Sequence, residues 1–148
     1  MPTIDLPRRR WLQCLAGLAA AACVPAWAAE VSADDARAVR QVIEAQLAAF
    51  AADDARAAFG YAAPAIREQF ASADDFMAMV RAGYAPVVRP AAVAFLAPRR
   101  RAAEVLQELL LTDADGRPWR ALYHLERQSD GAWRVTGCEL AAGQGRSV

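Results

Sequence analysis

The apolar residues of this chain change their period once, and the change falls at Pro86 and Pro90. Upstream, Val39, Val42, Ile43, Leu47 and Phe50 recur at helical spacing and predict one helix over 33–52, with Ser32 as its N-cap and Asp35 as a box-like acidic partner. Asp53-Asp54 breaks that helix and caps a shorter one carrying Ala55, Ala58 and Phe59. Pro64 suits the first turn of a third helix, and Ser72-x-x-Asp75 opens a fourth, with Phe76, Met79 and Val80 inward and Gly83 at its end. Pro86 and Pro90 read as an extended link. From there the period is two: strands are expected over 91–97, 104–112, 119–127 and 133–140. Pro98 with Arg99–Arg101, Asp113-Ala114-Asp115-Gly116 and Ser129-Asp130-Gly131 supply the turns. Helices followed by an antiparallel meander make an α+β domain: N-terminal helices on a mainly antiparallel four-stranded sheet.

Residues 1–28 read differently from the rest. Pro7-Arg8-Arg9-Arg10-Trp11-Leu12-Gln13 is a basic start, the stretch from Leu15 to Val24 is alanine-rich and apolar, and Ala26-Trp27-Ala28 is a small-x-small cleavage site. The apolar stretch is shorter than the roughly 20 residues a spanning helix needs. Arg8-Arg9-x-Trp11-Leu12 resembles the twin-arginine export signal; an ordinary general-secretion signal is the alternative. Either way the expectation is a leader cut after Ala28 and a periplasmic protein. Ala20-Ala21-Ala22-Cys23 lacks the leucine usual three places before a lipidated cysteine, which argues against a lipoprotein at Cys23. The remainder divides into a single domain over 29–140 and a small, polar, flexible tail over 141–148.

Without the leader the chain carries 14 arginines against 16 acidic residues, with no lysine, and this slightly acidic balance argues against nucleic acid as a partner. Cys14 and Cys23 leave with the leader, so Cys138 is left without an intramolecular disulfide partner. One His and one Cys on different strands have no metal-site spacing, and no phosphate-loop, dinucleotide or serine-elbow motif occurs; neither metal nor cofactor is expected. Met77 and Met79 read as core filler, and Arg99–Arg101 as a solvated turn.

Three segments carry a resemblance: Val39-x-x-Val42-Ile43-x-x-Gln46-Leu47-x-x-Phe50, then Phe76-Met77-x-Met79-Val80, then Tyr123-x-Leu125-x-Arg127 running on to Gly131-x-Trp133-Arg134-Val135-x-Gly137-Cys138. Their order resembles the nuclear transport factor 2-like (SnoaL-like) superfamily. Within it, that ending and the Thr112-Asp113-x-Asp115-Gly116-x-x-Trp119 hairpin resemble a family of small bacterial exported proteins called domain of unknown function 4864. The resemblance implies a curved sheet wrapped around helices as a cone with a pocket. Tyr61, Tyr84 and Tyr123 are the candidate ligand-contacting residues of that cone. The superfamily contains isomerases, dehydratases, cyclases and binding modules, so the fold does not choose an activity.

His124 is the one histidine and the natural general base near neutral pH. Alternation puts Arg120, Leu122, His124 and Glu126 on one face of their strand, and Trp119, Ala121, Tyr123 and Leu125 on the other, core-like face. A partner carboxylate would come from across the strands, such as Glu108 or Glu139. No buried-looking aspartate falls inside an apolar stripe. Three readings follow: a non-catalytic module binding a small ligand or a protein, which is the leading one; an isomerase- or dehydratase-type enzyme using His124; and an accessory protein acting through the sheet face. Apolar residues on both sheet faces, with Leu106 and Leu110 outward, lead us to expect a homodimer.

Overall fold

The computed structural model describes residues 30–143. The leader, with Arg8, Arg9, Trp11, Leu12, Cys23, Ala26 and Ala28, and the last five residues lie outside the described part.

Five helical segments precede five strands. Helix α1 (Ala33–Ala51) is capped by Ser32, whose Oγ accepts from the Asp35 backbone N–H at 3.1 Å. The Asp35 carboxylate does not close a capping box. It accepts from Arg100 at 2.9 Å and from Arg127 at 3.1 Å, pinning the start of the helix to the sheet. Asp53 takes a left-handed backbone (φ 58°) and ends α1, and Asp54 caps α2 (Ala55–Gly60) through the Ala57 N–H. Pro64 opens α3 (Pro64–Arg67), and Ser72 caps α4 (Ala73–Gly83). The link through Pro86 is not extended. Ala85–Val88 forms a short helix, α5, because Pro86 sits in a first turn, where its fixed φ and missing N–H are tolerated. Tyr84 joins α4 to α5, its N–H donating to Val80 O at 2.7 Å.

The sheet order is β1 (Ala92–Phe95), β3 (Glu104–Thr112), β4 (Pro118–Arg127), β5 (Trp133–Ala142), all antiparallel. A fifth strand, β2 (Arg99–Arg101), continues the β1 edge along β3, so the basic run is a strand and not a turn. Two features explain it. Pro98 interrupts the ladder but does not end it, and Gln107, buried on β3, donates to Leu96 O at 2.6 Å and holds the edge across the gap. The chain turns after β2 instead, at Ala102 (φ 51°). Two of the three charges of the run are engaged internally, Arg100 with Asp35 and Arg101 with Glu104. At the other end β5 continues through Ala142, paired with Trp119, past the boundary at 140 that the sequence suggested.

The core lies between α1 and the inner sheet face. Val39, Ile43, Leu47 and Phe50 meet Val105, Leu109 and Leu111 of β3, Ala121, Tyr123 and Leu125 of β4, and Trp133 and Val135 of β5. Parity along β5 changes midway. His124 pairs with Gly137 but Leu125 with Val135, so Thr136 is an extra residue, a β-bulge. Before it the odd positions Trp133 and Val135 face inward; after it the even positions Cys138 and Leu140 do. Among the described residues no helix is long and apolar enough to cross a membrane.

Candidate functional site: a neutral cavity under the bulge

The helices do not fill the space beneath the bulged end of β5. Val135 donates to Tyr61 O at 2.9 Å and its carbonyl accepts from Ala63 N–H at 2.8 Å, so the 61–63 segment is tethered to the sheet as a parallel bridge. This tether, α4 and the end of α1 leave a cavity of about 280 Å³. Its helical side is aromatic. Phe50, Phe59, Phe70 and Phe76 pack with ring centroids 5.3–6.4 Å apart, and the Phe70–Phe76 and Phe59–Phe70 pairs are edge-to-face. Phe50, Phe70 and Phe76 reach the cavity, with Ile66, Met79, Val80 and Val87. Its sheet side is Tyr123, Val135, Thr136, Gly137 and Cys138.

None of the residues lining this space is Asp, Glu, His or Arg. The two ionisable groups on its sheet side are held neutral. Burial, with Cys138 close by, raises the Tyr123 phenol well above its ordinary 10.0. Burial likewise pushes the Cys138 thiol up to about 12, opposed in part by its hydrogen bond with Tyr123. The two side chains meet because β4 and β5 place Tyr123 opposite Cys138. A thiol held this way is protonated at neutral pH and a poor nucleophile.

Two of the three candidate tyrosines come together here: Tyr84 and Tyr123 line the cavity. Tyr61 does not. Its backbone is tied to Val135, and its residue borders a shallow groove with Gln41, Val42 and Trp133 on the far side of the tether. The residue that sequence reasoning missed is Gln46, only 3% exposed and part of the cavity wall. Its signal was present: 39, 43, 46 and 50 form one 3–4 stripe on α1, and Gln46 is the polar member.

His124 lies on the opposite face of the sheet, as alternation indicated, and is not among the cavity-lining residues. Its ring is enclosed by charged neighbours: Nε2 is 3.2 Å from Glu139 Oε1, Nδ1 is 3.6 Å from Glu104 Oε1, and Arg101 approaches Nδ1 at 3.5 Å. A ring carrying its proton on Nε2 satisfies two contacts at once, donating to Glu139 and accepting from Arg101. Of the two carboxylates expected to partner it, Glu139 does; Glu108 instead takes Arg120, Nε at 2.6 Å. Glu104 is held below the usual carboxylate value, chiefly by its hydrogen bond from Arg101. The group is a cross-strand clasp on β2, β3, β4 and β5. His124→Ala is expected to lower stability by about 1 kcal/mol, the scale of partly exposed ion pairs, and to leave cavity ligand affinity unchanged; urea unfolding and a binding titration check both. Among the described residues no group of three or more His, Cys, Asp or Glu side chains could hold a metal ion.

Fold and cavity together define a small α+β domain whose one-sided sheet and helices enclose a neutral pocket. The chain belongs to the family described as Domain of unknown function (DUF4864), which matches residues 32–148. Among solved structures, the chain is similar to an NTF-2 like protein of unknown function from Burkholderia xenovorans LB400, at 16% identity over 76% of this chain and 88% of that one, with a TM-score of 0.47. Comparison with curated proteins gives no match.

Proposed function

We propose that this domain is a non-catalytic binding module for a small, largely apolar molecule held in the cavity. One observation carries the reading: a space of about 280 Å³ whose lining contains no group charged at neutral pH. Ligand pockets are concave, mostly apolar and furnished with a few convergent polar groups, and this one is at the small end of their size range. An apolar cavity of about half this volume is enough for benzene. The acid–base alternative lacks support, because its candidate base, His124, sits across the sheet from the cavity. Native mass spectrometry of protein isolated from its producing cell tests the reading. A retained molecule of low mass, lost on mild denaturation, is expected; protein that is empty and takes up no small aromatic probe would contradict it.

The leader residues Arg8, Arg9, Trp11 and Leu12, with Ala26 and Ala28, support export to the periplasm. The mature protein is then expected to begin at Ala29, which the intact mass of protein from the periplasmic fraction checks. A homodimer through the outer sheet face is a further part of the proposal. Leu106 and Leu122 lie on that face and Leu110 is 42% exposed there, beside the Arg120–Glu108 pair. Leu110→Glu is expected to weaken self-association at least tenfold in sedimentation equilibrium. A wild-type monomer at tens of micromolar would remove the dimer.

A further inference from the structure

Gln46 sets the chemistry of what the cavity can hold, and this inference rests on the binding reading above. The side chain sits within the apolar stripe of α1 and is almost fully buried. Its Nε2 donates to Ala58 O at 3.1 Å. A carbonyl can only accept, so this bond fixes which end of the carboxamide is which and leaves Oε1 on the other side. Among the described residues Oε1 has no hydrogen-bond partner, and Gln46 lines the cavity. It is also not walled off, unlike Thr136 Oγ1 and Trp133 Nε1, which are sealed without a partner. A hydrocarbon filling the cavity would take Oε1 out of water and leave it without a donor, which is destabilising, whereas a ligand that donates to it replaces the lost hydrogen bond.

The rest of the wall defines the ligand by exclusion. Tyr123 and Cys138 lie opposite each other and are both neutral, and the other polar side chains at the wall are Tyr84, Thr136 and Gln69, whose Nε2 donates to Ala65 O. No arginine reaches the cavity to balance an anion, and Oε1 itself repels one. We infer that the cavity selects an uncharged, compact apolar molecule bearing one hydrogen-bond donor, an alcohol or a phenol, and that Gln46 Oε1 accepts from that donor. Carboxylates of the same shape are excluded, because an unpaired charge would be desolvated without compensation.

Three ligands of one shape test this by calorimetric titration of the mature chain: 2-naphthol, naphthalene and 2-naphthoate at pH 7.5. We expect 2-naphthol to bind roughly three- to tenfold more tightly than naphthalene, and 2-naphthoate to bind at least about a hundredfold more weakly than 2-naphthol. Gln46→Met is expected to bring 2-naphthol down to the level of naphthalene without weakening naphthalene. The wild-type comparison stands alone should that variant not fold. Equal affinity for naphthol and naphthalene, or a preference for naphthoate, overturns the assignment of ligand class while the cavity reading survives. Binding of none of the three overturns both.

Discussion

Gln46→Glu is expected to lower stability by about 3–5 kcal/mol at pH 7.5, the scale of an uncompensated buried charge. The variant keeps the shape of the side chain and changes only its ends. At neutral pH an ionised carboxylate would face Ala58 O, which now receives a donor, and no lining cation would balance it. Burial raises the pKa of such a group in the folded state. The native state of the variant therefore holds a proton that the unfolded chain releases. The loss relative to wild type is smallest below the ordinary glutamate value of about 4.3, where the acid is neutral in both states and can donate to Ala58 O, and it grows above that value until pH has risen through the folded pKa. Urea unfolding of both proteins from pH 4.5 to 8 checks this. The comparison is made as a difference because the wild type has its own acid sensitivity. Glu104 and Asp113 are both held below their ordinary values, Glu104 by Arg101 and Asp113 chiefly by the Trp119 indole N–H. Their contributions are present above the unfolded values and are lost as pH falls through the folded ones. A constant difference between the variant and wild type across this range would mean that position 46 is wet.

The second large effect lies at alkaline pH. Cys138 is raised from 9.0 to about 12 in the folded protein. An acid whose folded pKa is raised stabilises the native state below the unfolded value and loses that contribution above it. Stability is expected to fall from about pH 9 by roughly 1.4 kcal/mol per pH unit, reaching on the order of 4 kcal/mol by pH 12. Tyr123, also raised, adds to the decline above its ordinary 10.0. Cys138→Ala removes the first contribution, so its onset is expected about one pH unit higher, following Tyr123. Tyrosine absorbance at 295 nm followed alongside circular dichroism reads both events: Tyr123 ionises only with unfolding.

Local signals account for most of the fold. Ser32, Asp54, Pro64 and Ser72 announce the helix starts where they occur, and the alternation of Glu104–Thr112 defines β3 to the residue. The misreadings arise where a distant contact decides. Pro86 is equally at home in a link or a first helical turn, and only packing selects the turn. Arg99–Arg101 looks like a solvated turn until Asp35 of α1 and the far-side Gln107 make it a strand. Of the cavity wall, helix ends and strand parity point to Tyr84 and Tyr123, which line it. Tyr61 borders a different groove, because the tether of Ala62 to Val135, which has no local signature, lies between. The bulge at Thr136 is equally silent, although it alone brings Cys138 to the inner face opposite Tyr123. Gln46 was readable, a polar residue at an apolar position, and its significance appears only once the cavity beside it is seen.

Backbone amide shift mapping with 2-naphthol reads out whether a neutral cavity takes a ligand beneath the bulge. Saturable shifts are expected at Gln46, Met79, Tyr84 and Val135 through Cys138, with Glu104 and Glu139 of the outer clasp unmoved. Saturable shifts confined to the outer sheet face, or none at all, would contradict it.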